Sequence, residues 1–425
     1  MRLAYLSPLP PAPTGIADYS AEVLGLLAGG HEIDAFHAQA GVEGLPSSVT
    51  ARPVAEFLSR HRERPYDVAV YQMGNGREHA FLYEPLVRVP GLLVLHDLVL
   101  HHSRARQFLD SPEARAYAAD PSNPARRDAA RPALQAYRDE AAYDFPAQAG
   151  RLAEAHLGTV GALLPYAYPL FRIPVEASRL VAVHNDYMAA AIREDVPAAA
   201  VVRVPMAVPR VPVADAAVSA LRAELGFLPD DFVVGSVGLL TREKQIETVA
   251  RAVARAAPAL PEIRLLLVGP VPDRGRLDSL LDRLGVRGRT VITGRVPLGE
   301  LPAHIEAADV VAHLRYPTAR ETSAALLRVL AQGRPTVISD LEHLADIPAE
   351  AVVRADTTDE EGELTRAILR LAGDAGARRR LGEDARDFVG REHSPDRTCA
   401  AYEDALARAR TLAAPPHEPW PAHLG

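Results

Sequence analysis

One lysine, Lys244, stands among 47 Lys and Arg residues, so every other member of that set is an arginine. The guanidinium is a planar fork and the ammonium a compact point charge, so a lone lysine in this background marks a place where the fork does not fit. Its surroundings sharpen the reading. Gly235-Ser-Val-Gly238-Leu-Leu-Thr-Arg242-Glu-Lys244 follows an apolar run and opens a segment in which Ile246, Val249, Ala250, Val253 and Ala254 recur at helical spacing until Ala257-Pro258 stops it. Lys244 therefore sits at or near a helix N-terminus at the end of a strand, where the helix dipole and free N–H groups favour an anion, most naturally a phosphate. Neither a G-x-x-x-x-G-K-[ST] nor a G-x-G-x-x-G pattern occurs here, so a P-loop and a nicotinamide fingerprint are both unsupported.

A second segment of this kind is Arg320-Glu321-Thr322-Ser323, continuing through Arg328 to Gly333-Arg-Pro335. Thr322 or Ser323 suits a helix cap and Gly333 with Pro335 suits its end. Glu321 falls at the start of that helix and Arg328 follows seven positions later, about two turns on and on roughly the same face. The plain alternatives are a dipole-compensating acid for Glu321 and a surface charge for Arg328.

The first half offers two further places. Leu3 to Leu6 runs into Ser7-Pro-Leu-Pro-Pro-Ala-Pro-Thr14-Gly15-Ile-Ala-Asp18-Tyr19, a stiff loop with a glycine that lets backbone approach a ligand before a helix begins. Gly91 to Leu95 ends in His96-Asp97, with His101 and His102 just beyond. A metal reading is weak, because adjacent histidines cannot both face His96 from a regular helix and no second ligand cluster is evident. His96 and Asp97 suit hydroxyl binding, with the later histidines packing or lining a cleft.

Parallel strands must position these residues. Short apolar runs at Leu3–Leu6, Ala21–Ala28, Asp67–Tyr71, Gly91–Leu95 and Arg179–Val183 read as buried strands. A long, mostly helical elaboration over about 103–178 interrupts them, and its Tyr166, Tyr168 and Phe171 suit a satellite core better than an acceptor or membrane surface. The proline-rich Val204–Val213 reads as a linker. A second series follows at Phe232–Val237, Arg264–Val268, Thr290–Thr293, Val310–Leu314, Thr336–Ser339 and Ala351–Arg354, then a terminal helix over Arg397–Leu412 and a loose tail over Ala413–Gly425. Doubly wound sheets bind ligands beyond the carboxyl ends of their strands, which is where the singled-out residues fall.

Composition agrees. A chain of 425 residues with 48% hydrophobic and 24% charged residues fits two globular domains with a cleft between them. The net charge of −8 argues against a nucleic-acid partner, and the single Cys399 leaves no intrachain disulfide or zinc cluster. The N-terminus turns polar too early for a signal peptide and no apolar run approaches a membrane span, so the expectation is a cytoplasmic protein with room for peripheral membrane contact.

Taken together, the first-strand glycine loop, the His96-Asp97 strand end, the Gly238…Lys244 turn, Leu266-Leu-Val-Gly269, Thr293-Gly294-Arg295-Val296 and the Glu321–Pro335 helix resemble the retaining nucleotide-sugar glycosyltransferases of family 4. The resemblance implies an α/β, GT-B architecture: two Rossmann-like doubly wound parallel-sheet domains facing a cleft. The acceptor-side domain would span 1–205, the nucleotide-sugar domain 206–395, and the terminal helix and tail 396–425. It implies catalytic roles for Lys244, Glu321 and His96. Donor binding falls on Gly15, Gly238, Arg242, Lys244, Arg295, Val296, Arg320, Glu321, Thr322, Ser323 and Arg328, and acceptor binding on Asp18, Tyr19, His96, Asp97 and His101. The donor is a UDP- or GDP-sugar, the acceptor a hydroxyl of a glycan, lipid-linked saccharide or other molecule, with no metal and no cofactor. Two departures stand out: in place of the second glutamate of E-x7-E, Arg328 stands one residue early, and Leu239 replaces an arginine often found after Gly238. An arginine has no acceptor atoms for ribose hydroxyls, which keeps a nucleotide-sugar epimerase and a non-catalytic nucleotide-sugar-binding subunit in view as alternatives.

Overall fold

The computed structural model describes residues 1–158, 161, 163–416 and 420–424. Its chain forms two units, one made of Met1–Pro205, Ala319–Thr322 and Asp396–Gly425, the other of Met206–Thr318 and Ser323–Pro395. In the first, β1 (Arg2–Leu6), β2 (Glu32–His37), β3 (Val49–Pro53), β4 (Val68–Met73), β5 (Leu92–Leu95), β6 (Leu180–Val183) and β7 (Val201–Arg203) make a sheet in the order β3-β2-β1-β4-β5-β6-β7. All its pairings are parallel, and the order reverses between β1 and β4. Leu3–Leu6, Val68–Met73 and Leu92–Leu95 are buried throughout, as strands covered by helices on both faces require.

Ala21–Ala28 is a helix and not a strand. The helix runs Gly15–Leu27 and buries Ala17, Ser20, Val23, Leu24 and Leu27, a three-and-four spacing that the consecutive apolar letters conceal. The strand after it, β2, escapes an apolar-run search because Glu32 and Asp34 interrupt it. The expected helical elaboration is present, with helices from His101 to Glu176, and it carries its own core around Leu134, Tyr137 and Leu152, against which Tyr168 packs. From Trp420 to Leu424 the tail is not loose. Trp420 lies 5.7 Å from Tyr143, Leu424 is buried, and His423 bonds Glu140 at 2.7 Å, because these groups find an apolar wall and a buried carboxylate to satisfy. The rest of that expectation, 417–419 and 425, lies outside the described residues. The terminal helix Pro395–Thr411 inserts the fully buried Tyr402 into the first unit.

The second unit contains β8 (Phe232–Val237), β9 (Ile263–Val268), β10 (Thr290–Gly294), β11 (Val310–His313), β12 (Thr336–Ser339) and β13 (Val353–Ala355), again parallel, in the order β10-β9-β8-β11-β12-β13. All six match apolar runs in the sequence. Its helix Ile246–Ala256 buries Ile246, Val249, Ala250 and Val253 against the sheet. No helix of the described residues is long and apolar enough to cross a membrane.

At the carboxyl ends of β8 and β9 the backbone crosses itself closely. Gly269 has φ +133°, and a Cβ there would lie 1.9 Å from the Gly238 carbonyl oxygen. A side chain is therefore excluded twice, by conformation and by contact. Gly269→Ala should destabilise the second unit by roughly 2–4 kcal/mol, read as a lower melting temperature for that unit, and an unchanged melting curve would refute the crossing.

Candidate functional site

The turn that carries Lys244 is held from both sides. Gly238, at φ +121°, donates its N–H to Val268 O at 2.9 Å, and Leu240 N–H bonds Pro270 O at 2.9 Å. On the other side Tyr316 N–H bonds Glu243 O at 2.8 Å, and Gln245 Nε2 donates to Tyr316 O at 2.7 Å. Between these straps Arg242–Lys244 forms a single 3-10 turn, and Gln245, left-handed at φ +52°, redirects the chain into the helix.

Lys244 is consequently buried, 5% exposed, with its Nζ 3.3 Å from His313 Nε2 at the end of β11. When Lys244 is charged it can only donate, and the contact then requires the His313 proton on Nδ1. Among the described residues no carboxylate pairs with Lys244. Burial, with the Arg315 guanidinium nearby, holds the Lys244 pKa well below its ordinary value. Burial, Lys244 and Arg315 likewise push His313 down. Lys244, His313 and the Arg315 guanidinium thus converge at the carboxyl edge of the sheet, where an anion beside Lys244 would offset the cost of its burial. His313 and Arg315 were not singled out from sequence, although they directly follow an apolar strand run and the strand-end rule points to them.

The other donor-side candidates fall in three places. Gly238 lies between Lys244 and the second helix: a Cβ on it would be 3.7 Å from Ala325 Cβ and 3.9 Å from Lys244 Cε. That helix, Ala324–Ala331, is capped by Ser323, whose side chain accepts from Leu326 N–H, and its Arg328 is half-buried. Glu321 therefore stands two residues before the cap and not in the first turn. Arg242 is exposed beside Lys244. Arg295 and the half-buried Val296 follow the edge strand β10, separated from β8 by β9. Arg320–Thr322 pack with the first unit, where Asn185 Nδ2 donates to Arg320 O and Thr322 Oγ1 at 3.1 Å each and Leu98 N–H bonds Ala319 O at 3.0 Å. Arg320 itself is left-handed, φ +62°.

In the first unit Gly15 begins its helix behind the Thr14 cap, exposed and with open space about it, and Asp18 lies in the same turn. Asp97 accepts from Asn75 N–H at 2.8 Å. Tyr19, His96 and His101 are interior residues. His101 is engaged at both ring nitrogens, by the Tyr168 carbonyl and the Tyr137 hydroxyl, and burial drives its pKa to about 3. This packing leaves it no nitrogen for an acceptor.

His96 belongs to a chain of polar groups through the core. His184 Nδ1 lies 2.8 Å from Val204 O, His184 Nε2 3.2 Å from His96 Nδ1, and His96 Nε2 2.8 Å from the Gln72 amide. Gln72 then meets Tyr402 OH at 3.3 Å, and Tyr402 OH meets Tyr19 OH at 2.7 Å. Burial favours neutral imidazoles, and Val204 O only accepts, so His184 carries its proton on Nδ1 and accepts at Nε2. His96 then donates from Nδ1 and accepts at Nε2. For that, the Gln72 amide nitrogen must face His96 and its oxygen must face Tyr402, the reverse of the placement in which its oxygen faces the ring. Tyr402 donates to Gln72 and accepts from Tyr19, which leaves every link matched. Among the described residues no group of three or more His, Cys, Asp or Glu is disposed to hold a metal ion.

Residues 231–374 match the family model described as Glycosyl transferases group 1. The 2-deoxystreptamine glucosyltransferase of Streptomyces kanamyceticus is 29% identical over 208 residues, covering 47% of this chain and 53% of that protein. The chain spans about half the length of the curated relatives it matches. Among solved structures, sucrose-phosphate synthase of Thermosynechococcus elongatus superposes with a TM-score of 0.64 at 18% identity over 96% of this chain and 98% of that one. Anabaena Alr3699/HepE in complex with UDP and glucose gives 0.65 at 15% identity over 96% and 99%. The fold is that of the GT-B glycosyltransferases: two parallel-sheet, Rossmann-like α/β domains.

The buried histidines make the first unit acid-sensitive. Burial lowers His96 well below the ordinary value of about 6.5, His79 to about 4 and His101 to about 3, so the unfolded chain binds more protons as the pH falls. Their contribution to stability is complete above about pH 6.5 and declines as the pH drops toward the folded values. Nitrogen-15 NMR of the imidazoles at mildly acidic pH should show His96 neutral and protonated at Nδ1. An ordinary titration of His96 would overturn the proton arrangement.

Proposed function

We propose that the protein is a retaining glycosyltransferase that moves a sugar from a UDP- or GDP-sugar to a hydroxyl acceptor. The observation that carries this reading is the buried Lys244 side chain, held beside His313 with no carboxylate paired to it among the described residues. A protein does not bury a cation uncompensated without cost, and a diphosphate supplies the missing charge. The match of the second unit to group 1 glycosyl transferases and the likeness to HepE, solved with UDP and glucose, support transfer over epimerisation.

In this reading the donor phosphates lie against Lys244, Gly238 and the Ser323-capped helix start, with Arg242 adding charge and Arg295-Val296 meeting the base. Glu321 takes donor-sugar hydroxyls. The acceptor oxygen bonds to the anomeric carbon on the face from which the diphosphate leaves, the anomeric C–O bond breaks, and the acceptor's proton passes to the departing phosphate oxygen. The chain's task is preorganised positive charge where negative charge develops, which Lys244 and Arg315 supply without an assigned metal or cofactor. His96 acts as a positioning residue, since its ring nitrogens are committed to His184 and Gln72.

Lys244→Met tests this with two opposed signs. Removing a buried cation should raise the melting temperature of the second unit in the free protein, by the equivalent of about 1–2 kcal/mol. The same change should abolish the thermal stabilisation that UDP or GDP gives the unmutated protein, together with sugar transfer. Retained nucleotide stabilisation in the variant would refute the assignment.

A further inference from the structure

A cavity of about 740 Å³ opens in the first unit, and none of the acceptor-side residues singled out from sequence lines it. Its walls come from segments that follow four neighbouring strands: Pro8 and Ala12 after β1, Gln39 after β2, Val54 and Leu58 after β3, and Phe81 after β4. It therefore straddles the point between β1 and β4 where the strand order reverses, the place where doubly wound sheets take ligands. The size lies within the range of small-molecule sites.

The chemistry of the walls is specific. Phe81 and Phe108 are half-buried apolar faces, and Leu424 of the docked tail adds to them. Arg104, at the back, carries no surplus charge. It is 2% exposed, its Nε donates to Glu140 Oε2 at 2.6 Å with a second bond from Nη2, and it lies 3.8 Å over the Tyr83 ring. Burial alone would raise Glu140, but Arg104 and His423 hold it below the ordinary carboxylate value, so the pair is ionised and mutually cancelled. Of the other charged walls, Arg77 is adjacent to Glu78, and Glu84 bonds Arg88 at 3.1 Å. A phosphate-bearing acceptor finds no net positive charge in this cavity.

We infer that this cavity is the acceptor site and that its ligand is a cyclic polyol without phosphate, neutral or amino-substituted, whose apolar ring face lies on Phe81 and Phe108 while Glu78 takes its hydroxyl or ammonium hydrogens. The assignment of the cavity to an acceptor rests on the glycosyltransferase reading above. Apolar walls with few polar groups match a ring that is greasy on one face and hydroxylated at its rim.

Binding is measured by saturation-transfer NMR on the full chain with three probes: myo-inositol, scyllo-inosamine and undecaprenyl-diphosphate-linked N-acetylglucosamine. Thermal stabilisation by UDP is followed in parallel. Saturable binding of a ring compound is expected, weakened about tenfold by Phe81→Ala and by Phe108→Ala, with Glu78→Gln weakening the amino compound more than the neutral one. Preference for the lipid-linked diphosphate overturns the inference. So does binding that neither phenylalanine substitution alters, and so does the absence of ring binding while UDP still stabilises the protein. Ring binding with no response to UDP or GDP would instead count against the donor reading and leave the cavity assignment standing.

Discussion

Backbone crosses backbone at the carboxyl edge of the second sheet because Gly269 has no side chain, and the turn that holds Lys244 depends on that crossing. With the Gly238 carbonyl seated where a Cβ would otherwise stand, the chain is pinned to β9 through Val268 and Pro270. The Tyr316 straps then fix its far side. Only after both constraints act does a single lysine find itself interior, against His313, and short of a counter-charge. The electrostatics around Lys244 are thus a product of backbone geometry.

One polar cluster in each unit handles burial in a way opposite to the other. In the first, histidines, tyrosines and Gln72 are chained so that each donor meets an acceptor, and Arg104 is answered by Glu140. Such networks rigidify a core when complete. In the second, Lys244 is left unanswered.

Most of the architecture was legible in the sequence because parallel strands covered on both faces are written as mainly apolar runs, a pattern clearest in β8, β9 and β11 of the second unit. The exceptions have physical causes. Ala21–Ala28 looks like a run only because a helix with a wide apolar face places several apolar letters together. β2 hides because Asp34, bonded to Arg52 and Tyr66, sits within it. Lys244 was legible through its rarity, and Ser323 through its capping chemistry. His96 follows a strand end as expected, yet the hydrogen bonds of His96, Tyr19 and His101 turn inward, and that orientation is set by partners from other segments: His184 for His96, Tyr402 for Tyr19 and Tyr137 for His101. The cavity in the first unit could not be read at all, since its walls come from the segments after four strands, from three helices and from the tail.

Tyr402 carries one more consequence. The first unit is assembled from the opening 205 residues and from a helix that is translated only after the whole second unit. Until that helix emerges from the ribosome, Tyr19 and Gln72 have no hydroxyl between them, and the nascent first unit must wait with an open seam in its interior. The second unit can complete its own sheet in the meantime. The core of the first unit is therefore complete only when a helix that follows the second unit in the chain is in place.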